Sequence, residues 1–229
     1  MQALIATFNT YKARIQGILR KHSCSVVDCA NVGQCIQFVR KQDCINAEIK
    51  NLVVNLKEKS SLCFSYNGCV SLTINVNVSF TVDSFNKLDA IKKYEINILA
   101  FGSSCNDRYY CWHFDQDDSS EKKNLAHPYY HMHCGGRGIK DKNSGEILLF
   151  KAPRIAYPPM DPFLCLHFIF HNFCEKKYYP NLENIFNDND YKAIIKFSQD
   201  MFWEPYFKGF RAESSHEVFN RNKLFPMFV

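Results

Sequence analysis

From Val70 to Val82 every second residue is apolar: Val70, Leu72, Ile74, Val76, Val78, Phe80 and Val82 alternate with Ser71, Thr73, Asn75, Asn77, Ser79 and Thr81. Successive side chains of an extended chain point to opposite faces, so this run is expected to form a strand with one apolar and one wet face. Such clean alternation belongs to antiparallel sheets, because parallel strands are covered on both faces and read as continuous apolar runs. Further strands are expected at Tyr94–Phe101, Tyr109–Asp115, Tyr129–Gly135 and Glu146–Phe150, with turn-prone residues between them.

Helical patterns flank this centre. Leu4, Phe8, Tyr11, Ile15 and Ile18 recur at steps of four and three, which places them on one stripe of a helix. Ile45, Ile49, Leu52 and Leu56 read as a second stripe, so the two segments are expected to pair as a helical hairpin. They pack on the domain's own sheet or, in the alternative, form a homo-oligomer through heptad-like contacts. Past Pro158 and Pro159, Asp161 is placed to cap a helix and Pro162 suits its first position, with Phe163–Phe173 apolar nearly all round and buried. Another helix is expected from about Asp188 to Trp203, with Tyr191, Ile194, Ile195 and Phe202 inward and Pro205 as a stop signal. Residues after Arg211 read as a tail. The resulting class is α+β: a central, mainly antiparallel sheet with an N-terminal helical pair and C-terminal helices packed on it. Residues 1–229 are read as one domain, in which residues 1–60 are helical, residues 61–151 form the sheet and residues 152–229 are helical again.

The chain of 229 residues is 46% hydrophobic and 15% aromatic, which argues against disorder, and it contains no apolar run long enough to span a membrane. Lys12, Arg14, Arg20 and Lys21 interrupt the first segment, which lacks the pattern of a secretion signal. A soluble, cytoplasmic protein is therefore expected. Its 11 cysteines are odd in number and contain no CxxC pair, so reduced thiols are expected rather than a disulfide framework or a cysteine zinc site. The formal charge of +5 is scattered, permitting nucleic-acid contact without specifying it. No Walker motif, dinucleotide fingerprint, GxSxG elbow or HExxH is present.

Chemistry is concentrated between residues 113 and 137. In the strand containing Trp112 and Phe114, His113 and Asp115 share the opposite face. In the segment from His127 to Gly136, His131 and His133 share one face while Tyr130, Met132 and Cys134 share the other. If the two strands are antiparallel neighbours, His113, Asp115, His131 and His133 converge, with His127 at the strand entrance. Imidazoles and a carboxylate gathered in this way suit a divalent metal. They also suit metal-free acid–base cleavage of a phosphodiester, with Arg137, in Gly135–Gly138, and Arg154 binding phosphate. The same residues equally fit a hydrogen-bonded polar layer on a sheet face covered by the helices. His167 and His171, one turn apart on the apolar helix, and the aromatic run Trp203–Phe207 are read as core.

The stretches WHFD, HPYYHMHCGG, LLFKAPRIAYPPMD and SQDMFWEPYFKGF resemble a family of uncharacterised bacterial proteins over residues 109–210. The aromatic-x-Asp strand followed by HPxxHxH is also similar to TumE-type proteins of toxin–antitoxin pairs. That likeness implies a component of a bacterial defence or toxin–antitoxin module, nuclease-like and acting on nucleic acid, with Asp115, His127, His131 and His133 as the matching positions. The long helical ends depart from the TumE pattern and suit a subunit docked on a protein partner encoded nearby. A non-catalytic adaptor subunit is the alternative.

Overall fold

The computed structural model describes residues 1–56, 70–82, 88–102, 105–116, 128–135, 155–211 and 221–224. Their centre is a seven-stranded antiparallel sheet in which every strand pairs with its neighbours in sequence: β1 (Ile36–Lys41), β2 (Cys44–Leu56), β3 (Val70–Val82), β4 (Leu88–Gly102), β5 (Cys105–Gln116), β6 (Tyr130–Cys134) and β7 (Ile155–Ala156). Helices α1 (Gln2–Lys21) and α2 (Cys29–Cys35) precede it. After it come α3 (Pro162–Phe173), α4 (Leu182–Asn187), α5 (Asn189–Ser198), a π-helical turn (Gln199–Trp203), α6 (Glu204–Phe210) and the short α7 (Arg221–Leu224). The α+β class and the antiparallel centre are as expected. The strand expected at Glu146–Phe150 lies outside the described residues.

The helices cover one face of the sheet. Phe8 of α1 stacks on Phe38 of β1 at 4.5 Å between ring centroids and lies 6.0 Å from Phe80 of β3 and 6.2 Å from Phe163 of α3. At the other end Trp112 meets Phe173 of α3 at 4.7 Å, and Phe114 meets Phe168 at 5.3 Å. Leu72, Ile74, Val76, Val78 and Phe80, the alternating positions that define β3, are all buried against this layer. Apolar area removed from water is what holds the two layers together, at roughly 25 cal/mol per Å².

The N-terminal helical pair is α1 with α2, and its second member is not the segment read as helical. Residues 45–56 belong to β2, so the sheet begins at Ile36, within the stretch assigned to helix. A β-bulge explains the misreading. Ile45, Ala47 and Ile49 are buried, the register against β3 then shifts between Ile49 and Leu52, and Leu52, Val54 and Leu56 continue inward. One inserted residue turns a step of two into a step of three, so Ile45, Ile49, Leu52 and Leu56 fall at the spacing of a helix stripe. Asn51 adopts φ 50° in the bulge, and its N–H donates to Asn75 Oδ1 at 2.9 Å. The second of the two stripes is therefore a strand and not a helix, and the stripe of α1 packs on the chain's own core.

α3 starts as its sequence dictates. Asp161 accepts a hydrogen bond from the Leu164 N–H at 2.8 Å, and Pro162 opens the first turn. Its buried face holds Phe163, Leu164, Leu166, Ile169, Phe170 and Phe173, while His171 and Asn172 are exposed, so the helix is not covered all round. Tyr191, Ile194, Ile195 and Phe202 point inward as expected. Pro205 does not end the helical run: it sits in the first turn of α6, directly after the π-helical turn in which the Glu204 N–H donates to the Gln199 carbonyl. Within the run Trp203–Phe207, Tyr206 is buried but Phe207 is exposed, so only some of it is core. Arg221–Leu224 forms a helical turn against α6 with Leu224 buried, rather than a plain tail. Among the described residues no helix is long and apolar enough to cross a membrane.

Candidate functional site

β5 and β6 are antiparallel neighbours, with His113 opposite His133 and Asp115 opposite His131. Because Trp112 and Phe114 fill the helix-covered face, period two turns His113, Asp115, His131 and His133 to the other face. Among the described residues the helices pack on the face of Trp112 and Phe114, and the cluster lies on the opposite face rather than beneath them.

Asp115 is the hub. His131 Nε2 lies 2.7 Å from its Oδ1, while His113 Nε2 lies 3.0 Å and His133 Nε2 3.9 Å from its Oδ2. The rings are packed together, with centroids 4.8 Å apart for His113 and His133 and 5.9 Å apart for His131 and His133. Burial by itself would raise the Asp115 pKa, but the hydrogen bond from His113 and the close imidazoles of His131 and His133 hold the carboxyl far below the usual carboxylate range. Asp115 is an anion at any working pH.

The ring orientations are fixed from behind. Asn97 Nδ2 donates to Glu95 Oε1 at 3.1 Å, which turns Asn97 Oδ1 toward His113 Nδ1 in a short hydrogen bond. An amide oxygen only accepts, so His113 Nδ1 carries a proton and Nε2 is presented to Asp115. His131 repeats the logic: its Nδ1 donates to the Pro128 carbonyl at 3.0 Å, leaving Nε2 for Asp115. His131 is only 2% exposed, whereas the side chains of His113, His133 and Asp115 are 20%, 18% and 31% exposed.

The cluster ends two polar rungs that run across the sheet. In register, Glu48, Asn77, Glu95, Asp115 and His131 form one, and Asn75, Asn97, His113 and His133 the other. A groove of about 210 Å³ follows them, lined by Glu48, Lys50, Asn75, Asn77, Glu95 and Asn97. Glu95 and Asn97 were not singled out from the sequence. Their alternation with Tyr94, Ile96 and Ile98 is legible there, but their place beside His113 needs the register of β4 against β5.

Three ligand atoms suited to a cation, from His113, Asp115 and His133, lie within 4.8 Å of one another. His131 stands outside this group, on the other carboxylate oxygen. His127, Arg137 and Arg154 lie outside the described residues. His167 is part-buried, bonded through Nδ1 to the Tyr191 hydroxyl at 3.0 Å, and burial lowers its pKa to about 4; His171 is exposed and stacks on Phe186. Among the described residues Cys24, Cys29, Cys35, Cys44, Cys111, Cys134, Cys165 and Cys174 are free thiols. Burial raises the pKa of Cys111, Cys165 and Cys174, which suits packing rather than nucleophilic attack. Compared with known proteins, the chain matches no family model, no curated protein and no solved structure.

Proposed function

We propose that this protein is a nuclease-like phosphodiesterase whose catalytic centre is the cluster of His113, Asp115, His131 and His133. The observation that carries the reading is the convergence of three imidazoles on one carboxylate at the end of a polar groove, on the sheet face turned away from the helices. In phosphodiester hydrolysis a water oxygen attacks phosphorus and one P–O ester bond breaks. One proton leaves the water and another reaches the departing oxygen. Imidazoles and carboxylates fill both proton-transfer roles near neutral pH, and the same groups hold a cation against the phosphoryl oxygens. The groove supplies a seat for the nucleotides flanking the scissile bond, with amides that can read base edges. Arg137 and Arg154 are proposed as phosphate-binding side chains and His127 as a further catalytic group. A place in a bacterial defence or toxin–antitoxin module, with a partner encoded nearby, is proposed from the sequence resemblance alone.

A second reading has its own observation. His131 is 2% exposed with both ring nitrogens engaged, as expected of a structural rung in a non-catalytic adaptor. The purified protein incubated with labelled RNA, single-stranded DNA and duplex DNA, in EDTA and then with Mg²⁺, Mn²⁺ or Zn²⁺, separates the two. Cleavage of at least one substrate that disappears in His133→Ala and Asp115→Asn supports the enzyme. Wild-type protein inert on all substrates in all conditions leaves the adaptor.

A further inference from the structure

We infer that His113 Nε2, His133 Nε2 and Asp115 Oδ2 form a binding site for a first-row divalent transition metal ion of the zinc type. The inference rests on the same cluster as the hydrolytic reading and names its cofactor.

The spacing fits. His113 Nε2 is 3.0 Å and His133 Nε2 3.9 Å from Asp115 Oδ2, and one ligand atom from each of the three residues lies within 4.8 Å of the others. With metal–ligand bonds of about 2.0–2.2 Å, tetrahedral ligands stand about 3.2–3.6 Å apart, so a small inward movement of His133 closes the set. The donors also select the ion. Two imidazole nitrogens and one carboxylate suit zinc, cobalt, nickel or iron, whereas magnesium and calcium prefer all-oxygen shells.

The residues behind the ligands are arranged as a metal site requires. An imidazole ligand is oriented by what its other nitrogen donates to, and His113 Nδ1 donates to Asn97 Oδ1, an amide itself fixed by Glu95. The ligating carboxylate is steadied in turn: His131 occupies the other oxygen, Oδ1, at 2.7 Å, and is anchored by the Pro128 carbonyl. His131 is therefore a positioning residue, not a fourth ligand. The ligand side chains retain partial exposure, which leaves an entry path and open coordination positions for water or substrate.

The test uses the full chain, reduced and stripped of metal with EDTA, titrated with Co²⁺ and Zn²⁺. Expected are one Co²⁺ per chain with visible d–d absorption, no thiolate-to-cobalt charge-transfer band, a rise in Tm with Zn²⁺, and no competition from millimolar Mg²⁺ or Ca²⁺. His133→Gln and Asp115→Asn should each weaken Co²⁺ binding at least about 100-fold, and Asn97→Ala and His131→Gln by about 10–100-fold with unchanged stoichiometry, the range seen for outer-shell residues. His171→Ala should change nothing. A wild-type chain that gives neither cobalt absorption nor a zinc-induced rise in Tm overturns the inference, as does a thiolate charge-transfer band or undiminished binding in His133→Gln and Asp115→Asn. Binding without cleavage of any nucleic acid supports the metal site and removes only the hydrolytic reading. Cleavage in EDTA by a chain that binds no cobalt removes the metal site and leaves the hydrolytic reading.

Discussion

His131 Nε2 stands 2.7 Å from Asp115 Oδ1 with its other ring nitrogen donating to the Pro128 carbonyl, so this histidine is spent on holding the carboxylate in place. His133, 3.9 Å from the opposite oxygen and more exposed, is held far less tightly. Two histidines two residues apart on one strand face thus have different physical tasks.

That difference predicts opposite mutational behaviour. His131→Ala strips the half-buried carboxylate of its closest partner and leaves a cavity, which should cost about 1–3 kcal/mol. For a chain of this size that lowers Tm by roughly 2–4 °C per kcal/mol. His133→Ala removes only the longest contact and should change stability by less than about 1 kcal/mol. Thermal melts of the two variants side by side check this; equal losses would show that the two histidines are structurally equivalent.

Asp161 predicts a pH dependence. Its side chain is fully buried, and burial pushes its pKa up to about 6 despite hydrogen bonds from the Leu164 N–H and the Ser198 hydroxyl, the latter at 2.7 Å. A carboxyl whose folded pKa is raised binds its proton more tightly in the folded state. Its contribution to stability is therefore full below the unfolded value near 4 and is lost as pH rises through about 6. Asp161→Asn keeps the cap on Leu164 without the charge. Urea melts at pH 4.5 and pH 8 should show the variant gaining on the wild type at the higher pH, by about 2 kcal/mol. A constant difference between the two proteins across that range would contradict the burial argument. Asp115 has the opposite sign: its depressed pKa gives stability that is present above about 4 and lost as pH falls below it.

The end of α1 offers a stabilising change. Ser23 holds φ 49° just past the helix, while the Cys24 N–H reaches the Leu19 carbonyl at 2.9 Å and the Ser23 N–H the Arg20 carbonyl at 3.0 Å. This is a Schellman ending, in which the left-handed position favours glycine. Ser23→Gly should gain about 0.5 kcal/mol, relief of the backbone strain outweighing the added freedom of the unfolded chain. An upward shift of roughly 1–2 °C in Tm is the expected readout.

Much of this architecture is legible in the sequence wherever a single period runs unbroken. The alternation of β3, the face-sharing of His113 with Asp115 and of His131 with His133, and the Asp161 cap all follow from local rules, and the structure agrees with each. Reading fails where two rules compete. The bulge near Asn51 gives β2 the spacing of a helix, and Pro205, a breaker inside a helix, is tolerated at the first turn of a new one. Asn97 and Glu95 illustrate a different limit: each is an ordinary polar position on a strand, and only pairing between strands distant in sequence puts Asn97 behind His113.

The most direct measurement is the cleavage rate of His133→Ala against the wild type on one labelled nucleic-acid substrate, with Tm recorded on the same samples. A catalytic cluster predicts a fall in rate of at least about 100-fold, within the reach of losing one acid–base group or metal ligand, at a nearly unchanged Tm. An unchanged rate, or a fall in Tm with activity intact in the surviving folded fraction, would contradict it and leave the polar rungs as structure alone.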